Sequence, residues 1–113
     1  MDLVEIITNA LNEKMGENIL IYDVRGFSSM MDTMILASSR NLRQNYALAR
    51  NVKDRLDEAG YEGPFKIEGN ENSGWLLIDL DDVVVHVFTK EERDNYLLER
   101  LYEDCEKRRV DTL

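Results

Sequence analysis

The sequence has few of the features that mark secreted or membrane proteins. Cys105 is the only cysteine among 113 residues, so the chain cannot form an internal disulfide bond, which fits a reducing compartment. The first residues show neither the apolar core of a signal peptide nor the arginine-rich character of a transit peptide. No stretch reaches the roughly 18 apolar residues that a membrane-spanning helix needs. We therefore expect a cytoplasmic protein that does not act at a membrane.

The sequence also has fewer basic than acidic residues. The chain has 14 lysines and arginines against 23 aspartates and glutamates, which gives a net charge of −9. Nucleic-acid binding starts from the attraction between phosphates and basic side chains, so this balance predicts little direct contact with RNA. A basic protein is the more natural partner for such a chain.

No repeat, linker or low-complexity segment divides the chain. A length of 113 residues with 43% hydrophobic content suits one domain, which we place at residues 1–113. Helical spacing predicts three helices: one between Asp2 and Gly16, one that begins at Asn41, and one that starts at Thr89 and includes Cys105. From about residue 106 we expect the tail to fray.

Five apolar runs between these helices predict strands. They are "NILIYDV", "DTMILAS", "PFKIEG", "WLLID" and "VVVHVF". The resulting order is α, β, β, α, β, β, β, α, which predicts a single α/β domain with a mixed five-stranded sheet and helices packed on it.

The stretch "SGWLLIDLDDVVVHVF" holds the only tryptophan and the only histidine. It predicts an antiparallel hairpin in which Asp81 and Asp82 form the turn. Alternation along the strands then places Trp75, Asp79 and His86 on one face. Asp79 and His86 become diagonal neighbours, roughly 7–8 Å apart at the backbone. A carboxylate at that position can hold the imidazole in one tautomer.

The same carboxylates allow a catalytic interpretation. Asp79, Asp81, Asp82 and His86 offer ligands for Mg²⁺, and a metal-dependent nucleotidyltransferase using Asp79 and Asp81 is the alternative function. Such an enzyme also needs a phosphate cradle, and "RGFSS" matches one poorly. No nucleophile signature occurs either. We therefore predict no catalytic residue, no metal site and no cofactor. Trp75 is either a core residue or an anchor at a binding interface, and composition leaves both open.

Several segments in order resemble the Iojap family, the ribosomal silencing factors. These are "DVRGFSSMMDTMIL", "NLRQ", "EG", "WLLIDLDDVVVHVF" and "RDNYLLERLY". The resemblance implies a fold like that of nucleotidyltransferases without their catalytic signature, and no enzymatic activity. It implies binding to the large ribosomal subunit through its protein number fourteen. Bound there, such a factor blocks joining of the small subunit and represses translation when nutrients are short. The chain looks like a bacterial member, and a homodimer is compatible with the resemblance.

The resemblance also implies which residues contact the partner. The family's partner-binding tryptophan matches Trp75, and the further candidates for this surface are Ser73, Leu76, Asp79, His86, Tyr96 and Leu98. The chain departs from the family pattern at three positions. Gln44 stands where the family has histidine and Tyr102 where it has tryptophan. Asp81 replaces a glycine at the hairpin turn, from which we expect no positive φ at that residue.

Overall fold

The computed structural model describes residues 1–96 and 98–110. In chain order the elements are α1 (Leu3–Glu13), β1 (Glu17–Asp23), β2 (Thr33–Ser39), α2 (Leu42–Glu58), β3 (Lys66–Glu68), β4 (Trp75–Asp79), β5 (Val83–Thr89), α3 (Lys90–Tyr96), α4 (Leu98–Leu101) and β6 (Glu106–Arg109). They confirm the predicted mixed α/β domain.

The strands form one sheet in the order β3-β4-β5-β2-β1-β6. The β2–β5 pair is parallel and the other neighbouring pairs are antiparallel. The chain leaves β2, passes through α2, β3 and β4, and returns beside β2 as β5. This long connection is what a parallel pair requires, and it places the β4–β5 hairpin at one side of the sheet.

The prediction of five strands with a frayed tail is wrong, because residues 106–109 form a sixth strand. β6 pairs with β1, from Leu20 opposite Arg109 to Asp23 opposite Glu106. Without it, the backbone of β1 would lie open at the edge of the sheet. All four β6 side chains are exposed, so the sequence lacks the alternation of apolar and polar residues that would predict this strand. Residues 111–113 lie outside the described part of the chain.

The ends of the two long helices follow local chemistry. Asp2 and Asn41 cap α1 and α2, and each accepts a hydrogen bond from a backbone N–H three residues later. At the end of α1 the left-handed residue is Met15, with φ 63°, and not Gly16. The Gly16 N–H donates to the Leu11 carbonyl over 2.9 Å. A Cβ at Gly16 would lie 3.0 Å from that oxygen, so the glycine provides space for this approach.

The sheet buries its two faces unequally. α1 and α2 cover one face and build the main core with it. A smaller cluster on the other face contains Leu20, Tyr22, Val24, Met34, Leu36, Phe88 and Cys105. Cys105 lies beyond α4, so its predicted place in the last helix is wrong; burial raises the pKa of its thiol. On the β4–β5 side of this second face, Leu77 and Val84 are only partly buried.

The β4–β5 turn contradicts the expectation for Asp81. Its φ is 77°, although a glycine would adopt this conformation more easily. The Asp82 N–H donates to the Leu80 carbonyl over 3.2 Å and closes a tight loop around Asp81. The Asp79 carboxylate accepts the Asp81 N–H over 2.8 Å. This side-chain bond and the pairing of β4 with β5 hold the backbone of Asp81 at its unfavourable positive φ.

We expect Asp81→Gly to stabilise the protein. The glycine removes the cost of a positive φ, and part of this gain is offset by its greater freedom in the unfolded chain, which leaves about 1 kcal/mol. Urea unfolding measures the free energy. Asp82→Gly is the matched control, because it removes the same charge from the same turn at a residue without a positive φ. Equal effects of both variants would show that charge, and not backbone strain, governs the turn.

Candidate functional site

The hairpin brings Trp75 and His86 to the second face of the sheet in the predicted register. Trp75 pairs with Phe88, and Asp79 pairs with Val84. Side chains alternate along both strands, so Trp75, Leu77 and Asp79 project from the same face as Val84 and His86. This confirms the predicted register and the shared face.

Trp75 is at the centre of an aromatic cluster. Its ring centroid lies 4.9 Å from that of Phe88 and 4.6 Å from that of Tyr96. Phe88 is fully buried, whereas Tyr96 is 55% exposed. The indole is partly buried between them, against the smaller core cluster. One side of Trp75 therefore packs in the core and the other side lies at the surface.

The polar partner of His86 is Trp75, and the predicted Asp79–His86 contact is wrong. The indole Nε1–H of Trp75 donates to Nδ1 of His86 over 3.0 Å. Asp79 instead uses its carboxylate on the hairpin turn, where it accepts the Asp81 N–H. His86 is 7% exposed, and burial lowers the pKa of its imidazole from 6.5 to about 4. The ring is therefore neutral at pH 7, and its Nδ1 lone pair is free to accept.

The other predicted contact residues are not all at the surface. Leu76 is fully buried in the main core on the opposite face, so its predicted contact with a partner is wrong. Ser73 lies in the loop before β4, and its hydroxyl oxygen accepts the Asn70 N–H over 3.0 Å. Leu98 is partly buried and packs against the smaller cluster. Tyr96 is exposed and contacts Trp75.

We call the surface formed by Trp75, Leu77, Val84 and Tyr96 the aromatic face. Its rim carries charge: Asp79 projects from β4, and the β3 neighbours Lys66 and Glu68 form an ion pair of 3.4 Å. Among residues 1–96 and 98–110, no group of three or more histidine, cysteine, aspartate or glutamate side chains is arranged to hold a metal ion. The arrangement suits contact with another macromolecule.

Arg93 is a residue whose role the sequence did not reveal. Its side chain is 8% exposed. The guanidinium donates to the Glu99 carboxylate over 2.8 Å, to the Asn18 carbonyl over 2.7 Å and to the Ser38 hydroxyl over 2.9 Å. These bonds join α3 and α4 to β1 and β2. Because Tyr96 ends α3, Arg93 holds the helix whose last residue lies on Trp75. The sequence showed only an arginine in the charged stretch KEERDNY, with a glutamate six residues later, both within the segment RDNYLLERLY that resembles the family.

No helix in the described part of the chain combines the length and apolar character needed to cross a membrane. A family model described as "Ribosomal silencing factor during starvation" matches residues 1–113. The ribosomal silencing factor of Bacillus subtilis (strain 168) is 40% identical over 103 residues, which cover 91% of this chain and 86% of that protein.

Two solved structures share the fold. A crystal structure of a protein from Chromobacterium violaceum has 36% sequence identity and a TM-score of 0.83, and the match covers 91% of this chain and 88% of that chain. A crystal structure from Bacillus halodurans has 34% identity and a TM-score of 0.79, with 96% of each chain covered. The similarity thus extends over nearly the whole domain.

The depressed pKa of His86 predicts how stability depends on pH. The unfolded chain binds a proton near the ordinary pKa of 6.5, whereas the folded protein resists protonation down to about 4. The contribution of neutral His86 to the free energy of unfolding is therefore complete above pH 6.5 and is lost as the pH falls. Between pH 7 and pH 5 the free energy of unfolding should decrease by about 2 kcal/mol. Urea unfolding at both pH values measures it.

His86→Gln is the matched variant for this measurement, because glutamine does not titrate. The carboxyl pKa values of Glu13, Glu17 and Asp23 are all lowered, so these groups lose their contributions below this window. An equal loss of stability in wild type and His86→Gln would contradict the assignment to His86.

We expect Arg93→Ala to destabilise the protein by about 2–4 kcal/mol, since it leaves the Ser38 hydroxyl, the Asn18 carbonyl and Glu99 without their shared donor. The tryptophan emission should also shift to longer wavelength as Tyr96 moves away from Trp75. Arg100→Ala is the control, because Arg100 is an exposed arginine of α4 and its loss should change stability by less than about 0.5 kcal/mol. Equal effects would argue against the anchoring role of Arg93.

Proposed function

The chain belongs to the family of ribosomal silencing factors, and we propose that it silences by covering the part of the large ribosomal subunit that the small subunit must meet. The family consists of regulatory proteins, so the chain is not an enzyme and the nucleotidyltransferase alternative is dropped. The ribosome is its partner. The contact on the ribosome and the way in which it silences are our proposal.

One observation carries the proposal: the β4–β5 hairpin presents Trp75 on the face of the sheet that neither α1 nor α2 covers. Tryptophan and tyrosine dominate the energetics of protein interfaces because they bury much area with few rotatable bonds. Here Trp75 and Tyr96 lie side by side, with ring centroids 4.6 Å apart. Leu77 and Val84 extend the apolar surface along the hairpin. Such a patch supports a role in docking.

We propose ribosomal protein number fourteen of the large subunit as the docking partner. The net charge of −9 favours approach to a basic protein and opposes contact with bare RNA phosphates. Little direct RNA contact is therefore part of the proposal. The cytoplasmic location, the homodimer and the likeness to nucleotidyltransferases stay predictions.

Silencing by this route needs no chemistry. The domain measures 33 × 32 × 29 Å and contains one hydrogen-bonded sheet. A body of this size, bound where the two subunits meet, would hold them apart by steric exclusion. The effect would depend only on occupancy, and therefore on the affinity of the aromatic face for its partner.

We expect Trp75→Ala to weaken binding to purified large subunits by about thirtyfold, the effect of losing a central aromatic anchor. Co-sedimentation over a range of subunit concentrations measures the affinity. Light scattering during subunit joining measures silencing in parallel, and the variant should no longer inhibit joining. Circular dichroism must show that the variant is folded, because truncating this partly buried ring also costs stability.

Leu42→Ala is the control for this experiment. Leu42 is 42% exposed and begins α2, which packs on the other face of the sheet. Its loss should leave binding unchanged. A folded Trp75→Ala variant that sediments like wild type would remove Trp75 from the docking surface. Failure of the wild type to sediment or to inhibit joining would remove the proposed mechanism.

A further inference from the structure

We infer that His86 is a positioning residue for docking: by accepting the indole N–H of Trp75, it turns the polar edge of the ring inward and leaves the carbon surface for the partner. The inference rests on the proposed docking function of Trp75. His86 would therefore act through Trp75 and would not contact the partner itself, since its side chain is only 7% exposed.

The geometry of the pair carries the inference. Tryptophan has one hydrogen-bond donor, its Nε1–H. In this structure the donor reaches Nδ1 of His86 over 3.0 Å. The two ring centroids are 5.8 Å apart and the rings are tilted by 47°, so the contact is a hydrogen bond between ring edges and not a stack. With its one donor used inside the protein, the indole has no hydrogen bond left to offer.

His86 is well placed to act as a rigid reference point. It lies on β5, which has β4 on one side and β2 on the other. Its cross-strand neighbours are Leu77 and Leu36, and its ring stacks on that of Phe88, with centroids 5.9 Å apart and planes inclined by 17°. Phe88 and Tyr96 contact the indole from two further sides. Together these contacts leave one orientation for a ring that would otherwise be free to turn its N–H towards water.

A purely structural role explains an imidazole at this position poorly. An aliphatic side chain would pack between Leu36 and Leu77 without the cost of removing a polar ring from water. The same burial disfavours the protonated ring and lowers the pKa of His86 to about 4. The compensating interaction is the bond to Trp75, because a buried acceptor must find a donor.

The orientation of the indole also determines which chemical groups of a partner can contact it. A partner group facing Trp75 meets the carbon surface of the ring and needs no hydrogen-bond acceptor. The acidic character of the chain and the carboxylate of Asp79 at the rim favour a basic side chain, whereas the rim charges of Glu68 and Lys66 compensate each other. An arginine or lysine laid over the indole would gain apolar contact and cation–π attraction together.

Three proteins test the inference: wild type, His86→Leu and His86→Gln. Leucine removes the acceptor, whereas glutamine can supply a carbonyl oxygen in its place. We expect His86→Leu to bind purified large subunits about tenfold more weakly, as for loss of a well-oriented contact. Its stability at pH 7 should be equal to or above that of wild type. His86→Gln should recover most of the affinity.

Nuclear magnetic resonance follows the indole directly, because a single tryptophan gives a single indole N–H signal. In wild type, a scalar coupling between the Trp75 Nε1 and His86 Nδ1 nitrogens should report the N–H···N bond. In His86→Leu the indole signal should shift and its proton should exchange faster with water. This measurement on wild type also applies if His86→Leu does not fold.

The outcomes separate the inference from the proposed function. If His86→Leu binds like wild type while Trp75→Ala does not, the positioning role is overturned and docking through Trp75 stands. If Trp75→Ala also binds like wild type, docking through Trp75 fails. A loss of binding that only follows a loss of stability, or no coupling between the two nitrogens in wild type, would overturn the positioning role as well.

Discussion

The fold is governed by one constraint: a six-stranded sheet has two faces to bury, and the long helices cover only one of them. α1 and α2, with 11 and 17 residues, pack on the first face. The second face receives α3 and α4, with seven and four residues. These short helices leave Leu77 and Val84 partly in water. Burial of such apolar surface by a partner is favourable, so the unequal layering of the fold creates the aromatic face that we propose for docking.

Helices as short as α3 and α4 bury little apolar area against the sheet, so hydrogen bonds from a polar side chain are needed to fix their position. Arg93 joins them to the ends of β1 and β2 through a carboxylate, a carbonyl and a hydroxyl. Tyr96 is thereby placed on Trp75, and the cluster excludes water from His86. The neutral state of His86 and the orientation of the indole therefore both depend on how the second face is packed.

The Trp75–His86 pair illustrates how far the sequence predicts the site. The two-residue period of a strand correctly placed both side chains on one face. The same register suggested Asp79 as the partner of His86, because register gives the spacing of backbones and not the direction of side chains. The Asp79 carboxylate instead accepts a hydrogen bond from the Asp81 N–H, two residues away. Leu76 was misplaced for a simpler reason: it follows Trp75 in the chain and therefore points to the opposite face.

The sequence by itself determined the starts of α1 and α2, the β4–β5 register and the family, because capping, alternation and motifs are properties of neighbouring residues. Only the tertiary structure decided the sixth strand, the positive φ of Asp81 and the contacts of Arg93. The Arg93–Ser38 bond joins residues 55 positions apart, and the Arg109–Asn18 bond that accompanies β6 joins residues 91 apart. The strand pairing around the turn likewise holds Asp81 where its own preference would not. The Arg93 and Arg109 bonds leave no local pattern because they join distant residues, and the turn at Asp81 depends on the pairing of β4 with β5, which propensity alone does not reveal.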